Sequence, residues 1–134
     1  MKRADRETAA SPAQLPAALR AAASGIHPLE AGTSLLIDCG CWLHRDDFTS
    51  QFITAATSIS DGTTLLATID WEATVTALDA GKLPCSGGER RVLRLAASIA
   101  SGIPVSLYDN LPGIDQRNAS LVVNAIWHAT RTDK

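Results

Sequence analysis

The sequence predicts an α-rich α+β fold, with a small two-stranded β element in the first half and three helices in the C-terminal half. Three observations predict it. From residue 70 onward, apolar residues recur at helical spacing behind clear capping residues. Two short apolar runs, 33–39 and 63–69, share a Thr-rich, Leu-Leu character and are bounded by glycines or a turn signal. Alanine is abundant and aromatic residues make up only 4%, so the core must be built mostly from Leu, Ile, Val and Ala, with a lean toward helix.

Taken in order, residues 1–10 are charged and small, without apolar periodicity, and read as a frayed tail. Residues 11–134 read as a single domain, since no linker divides them. Ser11-Pro12 opens a helix carrying Leu15, Leu19 and Ala22, and Gly25 stops it. The run 33–39, between Gly32 and Gly40, reads as a buried strand. Asp46 or Asp47 caps a helix with Phe48, Phe52, Ala55 and Ile59 on one face, and Asp61-Gly62 marks a turn. The run 63–69 is the second strand. It pairs with the first either in parallel across the helix or antiparallel with the helix packed over it.

The C-terminal half is written more plainly. Asp70 caps a helix with Trp71, Val75 and Leu78, and Gly81 ends it. Ser86-Gly87-Gly88-Glu89 has the S-x-x-E form of a capping box and opens a helix carrying Val92, Leu95, Ala96 and Ile99. Gly102 and Pro104 close it. Residues 105–111 hold one helical turn. Asp115 caps the last helix, with Ala119, Val122, Ile126 and Ala129 facing inward.

Composition excludes several functions. Twelve Lys and Arg against fourteen Asp and Glu give a net charge of −2, so there is no chain-wide basic footprint for nucleic acid. The longest apolar runs are only a few residues, so no membrane partner is expected. The first ten residues lack the apolar stretch of a signal peptide, and three cysteines form no disulfide framework. The expected compartment is a reducing cytoplasm.

The segment Ser86-Gly87-Gly88-Glu89-Arg90-Arg91 resembles the signature motif of ABC-type ATPases. Leu107-Tyr108-Asp109-Asn110 resembles a degraded Walker B strand, and Gly113-Ile114-Asp115 the loop after it. That likeness implies contact with a phosphate held by another subunit. The chain itself has no G-x-x-x-x-G-K-[ST], and Asn110 stands where the family places the carboxylate that polarises the attacking water. The plainer reading of Ser86–Glu89 is the helix cap. Leu83–Arg91, with Ala96–Val105 and Gly113–Asn118, also resembles small actinobacterial proteins of unknown function over roughly residues 70–130. This implies a compact helical unit in a bacterial cytosol and transfers no catalytic residue.

Four side chains have the chemistry of a zinc site. Cys39, Cys41 and His44 lie within six residues, and Cys85 could complete a Cys3His set, although C-x-C is tighter than the usual C-x2-C knuckle. The alternative is that Cys39 is a small buried hydrophobe and Cys41 packs beside Trp42. Cys85 also precedes a helix N-terminus, where the dipole lowers a thiol pKa. A Cys85 nucleophile would need His44 or His128 as base, and no spacing brings either to it. His128, near a helix C-terminus, suits the dipole. His27 precedes Pro28 in a loop.

Arg90, Arg91 and Arg94 form a basic group on one helix and would be the DNA contacts of a helical regulator. Between 70 and 134, however, seven basic side chains meet seven acidic ones, which favours a solvated helix face. Trp127 sits one position off the inward stripe and suits an interface anchor or the edge of an aromatic-poor core. Together these features point to a small non-enzymatic, cytosolic protein-interaction or regulatory module, binding a protein partner or itself through the C-terminal helices. A DNA-binding regulator using Arg90, Arg91 and Arg94 is the alternative, and a zinc-stabilised module the third.

Overall fold

Alternation of burial at i, i+3 and i+4 builds the first helix, α1 (Leu15–Ala23), whose Leu15, Ala18, Leu19 and Ala23 are buried. This computed structural model describes residues 11–132, so the expected tail at 1–10 lies outside the described residues.

The segment expected to be the first strand is instead the second half of a helix, α2 (His27–Cys39). Pro28 occupies its first turn, Glu30 adds a carboxylate there, and Gly40 ends it at φ +78°. The physical reason for the difference is its position. α2 packs against α1 and two later helices, so Ala31, Gly32, Thr33, Leu35, Leu36 and Cys39 are all buried. A helix covered on several sides is apolar around most of its circumference and loses its polar stripe.

After a turn that buries Trp42 and Leu43 comes α3 (Asp46–Phe52), which buries Phe48 and Phe52. The helix was expected to run on through Ala55 and Ile59. It stops at Phe52 and passes into β1 (Ile53–Thr57), where β-branched Ile53, Thr54 and Thr57 favour the pleat. β1 pairs antiparallel with β2 (Leu65–Ile69), placing Ile53 opposite Ile69 and Ala55 opposite Ala67. The two-stranded element therefore lies in the first half as expected, with residues 53–57 in place of 33–39. Ile59, 91% exposed, sits in the connecting loop. There the Asp61 carboxylate accepts the Thr63 and Thr64 amides, each at 2.9 Å.

The second half follows its caps. Asp70 accepts the Ala73 amide at 3.0 Å and starts α4 (Trp71–Asp79). Ser86 starts α5 (Gly87–Ser101) with both bonds of the capping box: the Glu89 amide donates to Ser86 Oγ at 3.1 Å, and the Ser86 amide to Glu89 Oε1 at 2.9 Å. Ser106 caps the single turn α6 (Leu107–Asn110), and Asp115 caps α7 (Gln116–Ala129).

One core joins the halves, running from Leu15 through Leu35, Leu36, Trp42 and Phe48 to Leu93, Val122 and Ala125. α2 is its axis. On one side Gly32 meets α5 so closely that a Cβ there would lie 2.5 Å from Ala100 Cβ and 2.6 Å from the Ala96 carbonyl oxygen. On the other side α7 runs antiparallel to α2. Near the start of α7, Arg117 donates to the last carbonyls of α2, Asp38 O at 2.7 Å and Cys39 O at 3.2 Å. A guanidinium at a helix C-terminus also offsets the negative end of the dipole. Among the described residues no helix is long and apolar enough to cross a membrane.

Candidate functional site

The structure does not gather Cys39, Cys41, His44 and Cys85 into a zinc site. Cys39 and Cys41 do meet, sulfur to sulfur at 3.1 Å, because the left-handed turn at Gly40 doubles the chain back. Cys39 is buried and also donates to the Leu36 carbonyl. The Cys41 bond holds the Cys39 thiol down to about 7, and the same pairing pushes Cys41 up. His44 is exposed while its neighbours Trp42 and Leu43 are buried. Cys85 is partly buried ahead of α5, and burial raises its thiol, which outweighs Arg90 and Arg45 nearby. It therefore lacks the depressed pKa of an activated nucleophile.

Among the described residues a different trio brings metal-ligating atoms together: His27, Glu30 and His128, whose ligand atoms all lie within 4.8 Å of one another. Its origin is local and then tertiary. His27 and Glu30 stand three apart in the first turn of α2, so they share a face. His128 comes from the last turn of α7, brought there by the antiparallel packing. Both rings converge on one oxygen: His27 Nδ1 lies 3.1 Å and His128 Nε2 2.7 Å from Glu30 Oε1. Oε2, the other oxygen, accepts the Gly25 amide at 2.8 Å. The rings meet edge to face with centroids 5.7 Å apart. The His128 bond, then the Gly25 amide and His27, hold the Glu30 carboxyl down at about 2. All three side chains are partly buried. Glu30 and His128 border a groove of about 290 Å3 together with Arg20, Ser24 and Ser34. Arg20 is already engaged, with Ser34 Oγ at 2.8 Å and Asp38 at 3.1 Å.

The arginines lie where the sequence grouped them. Arg90, Arg91 and Arg94 all line a groove of about 390 Å3 between α5 and the 104–110 segment. Arg94 is bonded to Asp79 at the end of α4 at 2.5 Å. Arg117 lies apart from this group and caps the C-terminal end of α2.

The last helix keeps Val122 inward as expected, with Ala119 and Ala129 partly buried, and departs from the expected stripe at one residue. Val122 and Ala125 are its buried residues, whereas Ile126, placed inward by the sequence reading, is 47% exposed. With Val123 at 63% and Trp127 at 77%, it forms an exposed apolar strip at i, i+3 and i+4. Trp42, by contrast, is fully buried, tilted against Phe48 and under the Arg45 guanidinium, and donates from Nε1 to the Glu89 carbonyl at 3.1 Å.

Comparison of the chain with protein-family models, with curated proteins and with solved structures returned no match.

Proposed function

We propose that the chain is a small non-enzymatic interaction module, acting in a bacterial cytosol, that pairs with a second copy of itself through the outer face of α7. The carrying observation is the exposed strip Val123, Ile126 and Trp127. A mostly bare Trp with aliphatic neighbours is the composition of an interface anchor, and such patches mark contacts more often than plain surface.

The charge pattern supports a second copy as the occupant. Along α7 the one Lys, Arg, Asp or Glu is Arg117, and it is spent on α2. A two-fold axis sets a surface against itself, so a charged face repels its own copy and an uncharged one does not. Sedimentation velocity over a concentration series tests this. A concentration-dependent dimer is expected, and Trp127→Ala weakens it by about 2 kcal/mol, roughly thirtyfold. A chain that stays monomeric at the highest concentrations removes the proposal.

One observation favours a second reading: three arginines line one groove, with Arg94 already paired to Asp79, and such a cluster suits a nucleic-acid phosphate. Duplex binding that falls steeply with salt, and is abolished by replacing Arg90, Arg91 and Arg94, would support it. No binding at low salt would dismiss it.

A further inference from the structure

We propose that His27, Glu30 and His128 form a zinc(II) site that clamps the C-terminal end of α7 onto the N-terminal turn of α2. The donor set comes first. Two imidazoles and one carboxylate are the three-ligand set of an open tetrahedral zinc centre, with a fourth position left for water. Two imidazoles select against calcium and magnesium, which take oxygen ligands, and favour borderline transition ions.

Spacing is the second support. With metal–ligand bonds of about 2.0–2.1 Å, tetrahedral donors stand about 3.3 Å apart. Here the two nitrogens lie 3.1 and 2.7 Å from the shared carboxylate oxygen. Moves of roughly half an ångström bring both of these pairs to that spacing, and all three ligand atoms already lie within 4.8 Å of one another. The metal takes the place of the protons that now bridge ring and carboxylate, and those protons leave to solvent.

The surroundings are the third. The Gly25 amide fixes Oε2 and so orients the carboxylate from behind, as outer partners of metal ligands do. The groove beside Glu30 and His128 gives the ion an entry path and the fourth ligand a place. Arg20, the cation on that groove, is neutralised by Asp38, so it offers little repulsion.

The inference is independent of the pairing proposed for α7, since the trio lies between α2 and α7 of a single chain. Its test uses the full chain without a histidine tag, stripped with chelator and dialysed. Zinc titration by calorimetry should give one site per chain, and calcium and magnesium none. Cobalt(II) should give visible d–d bands without the near-ultraviolet sulfur-to-metal band, which excludes Cys39, Cys41 and Cys85 as donors. Glu30→Gln and His128→Ala should each weaken zinc by tenfold or more, while Cys41→Ser should not. No saturable zinc binding, a sulfur-to-cobalt band, or equal affinity in both ligand variants would each overturn the assignment. The wild-type cobalt spectrum decides even if a variant fails to fold.

Discussion

Gly32→Ala is the sharpest probe of how α2 sits in the core. In an isolated helix this change is stabilising by about 1 kcal/mol, because Gly is a poor helix former. Here the new methyl would stand 2.5 Å from Ala100 Cβ, 2.6 Å from the Ala96 oxygen and 2.7 Å from the Ala100 nitrogen. Two of those three atoms are backbone, so no side-chain rotation relieves them. To regain ordinary contact at about 3.4 Å, α2 and α5 must part by about 0.8 Å, a gap that forfeits a quarter to a half of each dispersion contact along the interface. Overpacking of this kind costs about 1–3 kcal/mol, and this site belongs at or above the upper end because backbone must move. The net expectation is a loss of about 2 kcal/mol, read in urea as a midpoint lower by about 1 M with an unchanged slope. Gly88→Ala in the first turn of α5 is the control: nothing lies within 4 Å of its new methyl, so stability should hold or rise slightly. A Gly32→Ala protein as stable as wild type would refute the close α2–α5 approach.

Two further expectations rest on caps and charge. Ser86→Ala removes the acceptor for the Glu89 amide and should cost about 0.5–2 kcal/mol in urea; an unchanged midpoint would mean the box contributes nothing. Asp61 is held down at about 2, first by the Thr64 hydroxyl and then by the Thr64 and Thr63 amides. Its folded pKa is lowered, so its contribution is complete above the ordinary carboxyl pKa, near 4, and is lost as pH falls through about 2. The stability gap between wild type and Asp61→Ala should thus be constant from neutral pH to about 5 and close below about 4. An equal gap at pH 2 would contradict it.

How legible the fold was depended on whether the signal was local. Asp70, Ser86 and Asp115 each write a helix start within four residues, and all three side chains accept the amide three residues on. Gly32 shows the opposite case. A lone glycine before an apolar run reads as a boundary, yet here it is the contact point inside a helix. β1 was missed because Phe48 and Phe52 keep helical spacing up to its first residue. On α7 the expected stripe holds at Val122 and fails at Ile126, whose inward place Ala125 takes, since small residues on several faces leave the stripe shallow. The trio was half visible: His27 and Glu30 at i, i+3 need only α2 to be read as a helix from Pro28. His128 lies 98 positions further on, and only the fold brings it there.

The two fastenings of α7 bear on the order in which the molecule is made. Arg117 reaches α2 across 79 positions and His128 across 98, so both ends of the central helix are completed by residues synthesised long after it. Until α7 has emerged, one flank of α2 stays wet and its last carbonyls uncapped, however well α1 and the hairpin have formed. Closing such long loops must precede the contacts that reward it, which slows folding. Assembly of this chain is thus governed by its last helix, and a ribosome-stalled chain ending before Arg117 should remain protease-sensitive along α2.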